Sequence, residues 1–311
     1  MIQNTFIPGW YALLPSRLVK KKPLAIKRFG MDLVVWRQRD HHLSVFQDRC
    51  PHRGAKLSLG KVAGQHLQCP FHGFQFDGAG QCAFAPELNQ AIPGLKASAF
   101  EVKEAFDMIW IYWGDGPATV FTYPELAELH HQFKTYSMTQ KTWQSHMTYC
   151  IENQLDYTHL AFVHHNTIGR NFKMPDSPRV VADARMIQIY FDQQSTPALT
   201  FFFNNTWVLN IGSQMKVLLY FCPVDAGQTQ LYLRTYRQFL SHKMVKKIAD
   251  FFINLSNRII LKQDQVVVAS QGILPSYLAQ EDGLMRHDQA IREFRRLWEE
   301  RLSVKQMNSN V

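Results

Sequence analysis

Cys50-Pro51-His52-Arg53-Gly54 and Cys69-Pro70-Phe71-His72-Gly73, with sixteen residues between His52 and Cys69, are the stretch that decides how the first part of this chain folds. Each half pairs one thiol with one imidazole at an offset of two or three residues. Soft thiolates and neutral imidazoles are ligands for transition metals, so two such pairs read as two loops closing on one cofactor. Pro51 and Pro70 stiffen the loops, while Gly54, Gly60 and Gly73 let the backbone fold close around it.

Tetrahedral zinc accepts the same four donors. Zinc fingers, however, usually pair Cys with Cys and His with His, whereas here every pair is mixed. A Rieske [2Fe–2S] cluster needs two thiolates at one iron and two imidazoles at the other, and its potential then lies at roughly −150 to +300 mV. Cys50, His52, Cys69 and His72 are therefore expected to hold such a cluster, and the chain to move single electrons.

With 311 residues the chain is too long for one small cluster module and fits two domains. No apolar run spans a bilayer, since the longest, at 251–261, is broken by Asn254, Ser256, Asn257 and Arg258. Met1-Ile2-Gln3-Asn4 lacks the features of a signal peptide, and a cytoplasmic protein is expected. Cys82, Cys150 and Cys222 form an odd, scattered remainder of the five cysteines, without a disulfide framework. The net charge of +9 suits an acidic redox partner. Nucleic acid is not expected, because the basic residues are mostly dispersed and no aromatic-basic module is present.

Between Gly9 and Gly114 short β-rich segments alternate with turns, at 33–36, 43–46, 74–76 and 108–113, and Asp77-Gly78-Ala79-Gly80 should close a hairpin. An all-β domain over 1–116 is expected, with an exit at Gly114-Asp115-Gly116-Pro117. A mixed α and β domain over 117–311 should follow. Its strands are expected at 186–190, 199–204 and 215–221, the last joined to 231–233 through Asp225-Ala226-Gly227-Gln228. Helices are expected at 142–163, at 241–271 with Ser241 as cap and Gly272 as stop, and at 284–302.

Asn153, Asp156 and His159 recur at i, i+3 and i+6, which predicts a polar stripe on one helical face within apolar surroundings. His164 or His165 could reach the same point from the following turn. Two histidines and one carboxylate on one face of an octahedron are the ligands of non-haem Fe(II) oxygenases, which keep the remaining positions open. Asp264 is the best carboxylate, because an unpaired charge in the apolar part of a helix would be costly. Glu152 and Asp156 compete with it.

With these residues the chain resembles the oxygenase component of Rieske non-haem iron oxygenases, and within that group the monooxygenases and demethylases. Cys50-X-His52, sixteen residues, Cys69-X2-His72 matches the family's cluster pattern, and Asp156-X2-His159-X4-His164 its iron pattern. The resemblance favours His164 over His165, and Asp264 fits the family's late carboxylate. It implies an α+β chain, in which the Rieske domain precedes a helix-grip (Bet v 1/START-like) catalytic domain with an antiparallel sheet and long helices. It further implies one [2Fe–2S] cluster, one mononuclear Fe(II), and electrons from NAD(P)H through a reductase, directly or by way of a ferredoxin. A homotrimer is implied as well, in which Asp156 joins His159 to His72 across the subunit interface.

The expected activity is hydroxylation or oxidative demethylation of a small apolar, aromatic or polycyclic molecule with O2. A pure electron carrier and a cis-dihydroxylating dioxygenase are the competing readings. Relatives acting on chlorophyll derivatives carry a C-terminal Cys-X2-Cys, and no cysteine follows Cys222 here. The substrate is expected to meet walls drawn from Phe201, Phe202, Phe203, Trp207, Leu209, Leu218 and Phe221, with Asn153 at the site and Asn204, Asn205 or Asn210 orienting it.

Overall fold

The structure, a computed structural model, describes residues 5–133, 135–203 and 205–309. The chain forms two compact units, one from Pro8 to Thr122 and one from Tyr123 onward that also takes in the residues before Pro8. The division falls after Thr122, beyond the exit expected at 114–117. The reason is local: Trp10 Nε1 donates to Thr119 O at 2.8 Å, and the Phe121 ring packs edge-on against Trp10 and Trp110.

The unit from Pro8 is all β apart from single 3-10 turns. Its strands are β1 (Gly9–Pro15), β2 (Leu24–Arg28), β3 (Met31–Arg37), β4 (Leu43–Gln47), β5 (Lys61–Ala63), β6 (His66–Gln68), β7 (Gln75–Phe76), β8 (Gln81–Ala85), β9 (Gln90–Lys96), β10 (Val102–Ala105) and β11 (Met108–Trp113). They pair in three antiparallel sheets, β1-β11-β10, β2-β3-β4 and β5 to β9 in sequence. The expected turn at 77–80 closes the β7–β8 hairpin, with Asp77 N donating to Gln81 O and Gly80 N to Asp77 O. Val34, Trp36, Phe46, Leu67, Phe74 and Phe76 form a core into which Cys50 and Cys69 are also packed.

The second unit begins with α1 (Pro124–Gln132) and β12 (Thr135–Trp143), then α2 (Met147–Leu155) and α3 (Leu160–Val163). The strands β13 (Arg179–Ala182), β14 (Met186–Tyr190), β15 (Leu199–Phe202), β16 (Thr206–Ile211), β17 (Met215–Asp225) and β18 (Gln228–Arg237) follow, and α4 (Lys243–Val268) and α5 (Gln289–Ser309) end the chain. One antiparallel sheet runs in the order β12-β18-β17-β16-β15-β14-β13. Phe201 on it and Phe203, the residue after β15, pack on Phe294 of α5, with ring centroids 5.5 and 6.2 Å apart.

The helix expected over 142–163 is instead three pieces. Residues 135–143 are taken by pairing with β18, from Thr135 opposite Arg237 to Trp143 opposite Thr229. His146 then caps α2, accepting from Thr148 N through Nδ1. After Leu155 the helix stops because Asp156 Oδ1 accepts from Thr158 N at 2.7 Å and from Thr158 Oγ1 at 2.6 Å, an Asx turn that outcompetes further helical bonding. Two other boundaries move: α4 starts after His242 and ends at Val268 rather than at Gly272, and α5 starts at Gln289 behind a 3-10 turn.

Candidate metal centres

Breaking the helix at Asp156 is what creates the first site. His159 sits at the N-cap of α3 and His164 at its C-terminal end, so the two rings come off opposite ends of one short turn with centroids 5.2 Å apart. His164 O accepts from Thr167 N and Gly169 N, tightening the loop beyond, and a Cβ on Gly169 would run into Leu160 O. From α4, Asp264 places Oδ1 at 2.8 Å from His164 Nε2 and 3.5 Å from His159 Nε2. One donor atom from each of the three lies within 4.8 Å of the others.

Two of the competing ligands, Glu152 and His165, have other partners. Glu152 is buried against Arg295, with Oε1 and Oε2 each 2.9 Å from its guanidinium, and accepts from Ser276 Oγ at 2.5 Å. His165 is exposed, its Nδ1 2.7 Å from Phe162 O. Asn153 lies on α2 with a buried Nδ2 that has no hydrogen-bond partner among the described residues, and its neighbour Gln154 lines the cavity described below. Asp156 Oδ2 faces His159 Nδ1 at 3.6 Å, on the side of the ring away from Asp264 and outside the set of three.

The donor set fits a cation. Gln263 Oε1, 2.9 Å from His164 Nδ1, also accepts from Thr167 Oγ1 at 2.9 Å, so the imidazole proton belongs on Nδ1 and the Nε2 lone pair points at Asp264. Asp264 Oδ1 is buried and closes no hydrogen bond among the described residues. Acceptors aimed at one another in a buried place are costly unless a positive charge lies between them. Burial lowers the proton affinity of His159, but Asp156 and Asp264 outweigh it and raise its pKa to about 9. Burial likewise works to raise Asp264, yet His159 and His164 hold its carboxyl below the ordinary range. A field that favours a proton here favours a metal ion as well.

In the other unit, the β4–β5 and β6–β7 connections are built alike. Cys50 N donates to Ala55 O and Gly54 N to Cys50 O; Cys69 N donates to Phe74 O and Gly73 N to Cys69 O. Gly54 and Gly73 both take left-handed backbone, at φ 75° and 74°, which a side chain would strain. The loops bring the His52 and His72 rings to 4.8 Å between centroids, exposed, while both cysteines are buried free thiols. Burial, with Cys69 close by, pushes the Cys50 thiol up to about 11. Two buried thiols, backed by two converging imidazoles, suit a cluster whose irons take them as thiolates.

The His159, His164 and Asp264 set lies on the wall of a cavity of about 280 Å³. The sheet contributes Leu199, Trp207, Leu209 and Leu233, and α4 contributes Ile253, Asn257 and Ile260. Of the walls expected from the sequence, Trp207 and Leu209 are present. Phe201 is buried in ring contact with both Phe221 and Phe294, and Leu218 sits at the register position opposite Arg234, off the cavity. Asn210 is spent on Pro197 O, Asn205 is buried away from the cavity, and Asn204 lies outside the described residues. Sequence reasoning missed Asn257 and Gln263. Ile253, Asn257 and Ile260 precede Asp264 at helical spacing, which was the available signal for the cavity face of α4.

Residues 9–104 match the Rieske [2Fe-2S] domain, and residues 143–204 the vanillate O-demethylase oxygenase C-terminal domain. The chain is similar to the putative toluene-4-sulfonate monooxygenase system iron-sulfur subunit TsaM2 of Comamonas testosteroni, 32% identical over 59% of this chain and 52% of that protein. The chain thus spans about half the length of that relative. It is similar to the methylxanthine N1-demethylase NdmA of Pseudomonas putida, 29% identical over 80% of this chain and 74% of that one. Dicamba monooxygenase bound to 3,6-dichlorosalicylic acid shares the fold, with a TM-score of 0.78 at 21% identity over 98% of this chain and 99% of that one.

Proposed function

This chain belongs to the Rieske oxygenases, joining a Rieske [2Fe–2S] domain to an oxygenase C-terminal domain, and from that premise we propose that it oxidises a neutral, mainly apolar small molecule with O2. The observation that carries the proposal is the His159, His164 and Asp264 set on the wall of an apolar cavity. When bound, the mononuclear iron supplies O2-dependent oxidation of a C–H bond and the cluster supplies the single electrons it consumes.

The residues of this chain do the rest. Trp207, Leu209, Leu233, Ile253 and Ile260 exclude water and hold an apolar body, while Asn257 and Thr235, joined by a 3.1 Å hydrogen bond, are polar anchors beside it. No lysine or arginine lines the cavity among the described residues, which disfavours a substrate anchored through a carboxylate. Gln263 fixes His164 and Asp156 orients His159. In a homotrimer, Asp156 would also reach the partner subunit's His72 and so shorten the path between centres.

Electrons would come from NAD(P)H through a separate reductase, directly or by way of a ferredoxin, in the cytoplasm. Monohydroxylation or oxidative demethylation is the reading preferred over cis-dihydroxylation, supported by relatives described as a monooxygenase subunit and a demethylase. The test is metal analysis with a coupled substrate screen. Iron content should be about three per chain, one of them lost in His159→Ala with the cluster absorbance kept. O2 uptake with a surrogate reductase should yield one added oxygen or a lost methyl by mass. Full loading at two irons per chain would instead make this an electron carrier.

A further inference from the structure

The outer face of α4 is apolar where a helix lying on a sheet normally turns polar. Met244, Ile248, Phe251, Phe252, Leu255 and Ile259 follow one another at helical spacing and are each 46% to 75% exposed. From Met244 to Ile259 the stripe is about 22 Å long at the rise of an α-helix. Patches of this kind on a soluble fold mark an interaction surface.

The charge around the stripe indicates its occupant. Lys247, Arg258 and Lys262 are exposed beside it. Asp250, the only acidic residue from 241 to 262, is held by Arg237 Nη2 at 2.6 Å and Lys246 Nζ at 3.1 Å. An apolar stripe with large aromatic and aliphatic side chains and a purely basic flank is the signature of a helix lying in the headgroup region of an anionic bilayer. No described helix is long and apolar enough to cross a membrane, so the contact would be lateral.

The opposite face of the same helix lines the cavity, through Ile253, Asn257, Ile260 and Asp264. Between the two faces Ser256 is exposed and also lines the cavity, as do Ile168 at 54% and Ile211 at 42% exposure. The mouth of the cavity therefore borders the apolar stripe.

We propose that the outer face of α4 docks on the surface of an anionic lipid bilayer and sets the cavity mouth at the lipid boundary, where an apolar substrate partitions. The docking needs no turnover, so its failure leaves the oxygenase reading intact.

The test is co-sedimentation of the holoprotein with vesicles of phosphatidylcholine alone and of phosphatidylcholine with phosphatidylglycerol. Wild type should bind the anionic vesicles more strongly, and added salt should weaken that binding. Phe251→Asp with Phe252→Asp should lower the partition coefficient at least about tenfold, and Lys247→Glu with Arg258→Glu should abolish the preference for anionic lipid. Cluster absorbance and thermal unfolding would verify that the variants are folded. Wild type that ignores both vesicles, or a Phe variant that binds as wild type does, overturns the proposal. So does light scattering in which wild type ignores vesicles and the Phe variant falls to a smaller oligomer, since the face would then join copies of this chain.

Discussion

Gln263 Oε1 stands 2.9 Å from His164 Nδ1, on the side of the ring opposite the carboxylate of Asp264, and the next residue in the helix is Asp264 itself. Adjacent residues thus grip one imidazole from its two nitrogens. Thr167 Oγ1 donates to the same Gln263 oxygen, so the amide is held as an acceptor. Gln263→Leu should lower the affinity for the mononuclear metal by about 10- to 100-fold. Gln263→Glu, which keeps an acceptor, should retain most of it. Timed removal by a chelator, with cluster absorbance as the internal reference, measures this, and equal iron retention in Leu and wild-type proteins would refute the role.

Asp156 has two jobs that a pair of substitutions separates. Its Oδ1 holds the turn through Thr158 N and Oγ1, and its Oδ2 faces His159 Nδ1. Asp156→Asn retains a carbonyl oxygen for the turn and loses the negative charge. It should keep both metals and lose about 10- to 100-fold in turnover. Asp156→Ala should lose the turn as well and, with it, about 1 kcal/mol of stability. Rapid mixing of reduced enzyme with O2 and substrate gives the single-turnover electron transfer rate. A normal rate in Asp156→Asn would remove the charge from the electron path.

What could be read from the chain follows the range of the physics involved. The cluster loops are local: Cys50, His52 and Gly54, then Cys69, His72 and Gly73, fix their own turns. The β17–β18 hairpin is local too, and its turn at 225–228 stands where Asp-Ala-Gly-Gln placed it. Asn153, Asp156 and His159 misled for the same reason. Helical spacing is a local rule, but a side-chain turn at Asp156 and the pairing of 135–143 with β18 override it. The cavity wall depended on which end of the sheet α5 covers, a contact between Phe201 and Phe294 over ninety residues apart that alternation within one strand does not encode.

The pair of Glu152 with Arg295 offers a control for the metal assignment. Burial pushes the Glu152 carboxyl up, against the pull of Arg295 and Ser276, and the pair joins α2 to α5. Removing one partner leaves the other charge buried and unpaired, which costs roughly 3–5 kcal/mol. Arg295→Leu should therefore unfold at markedly lower urea. Glu152→Gln, still able to hydrogen-bond, should cost less. Folded Glu152→Gln should carry wild-type mononuclear iron, since Asp264 is the carboxylate that faces the two histidines. Loss of that iron in a protein with unchanged urea stability would return Glu152 to the ligand set.

His146 makes stability depend on acid. It is fully buried at the start of α2, stacked on Phe6 at 5.6 Å with its Nδ1 2.9 Å from Thr148 Oγ1, and burial lowers its pKa to about 4. An unfolded chain binds a proton at that ring near pH 6.5. Above that pH the ring is neutral in both states and costs nothing. As pH falls from about 6.5 to about 4, the unfolded state takes up a proton that the folded state refuses, so stability declines, and below about 4 the loss levels off. The full loss is about 3 kcal/mol. His146→Asn keeps a side-chain acceptor for the helix cap and does not titrate. Urea midpoints of wild type and variant at several pH values between about 7.5 and 4.5 should therefore converge as pH falls. A gap between the two proteins that stays constant over this interval would show that the ring is protonated in the folded state as easily as in water.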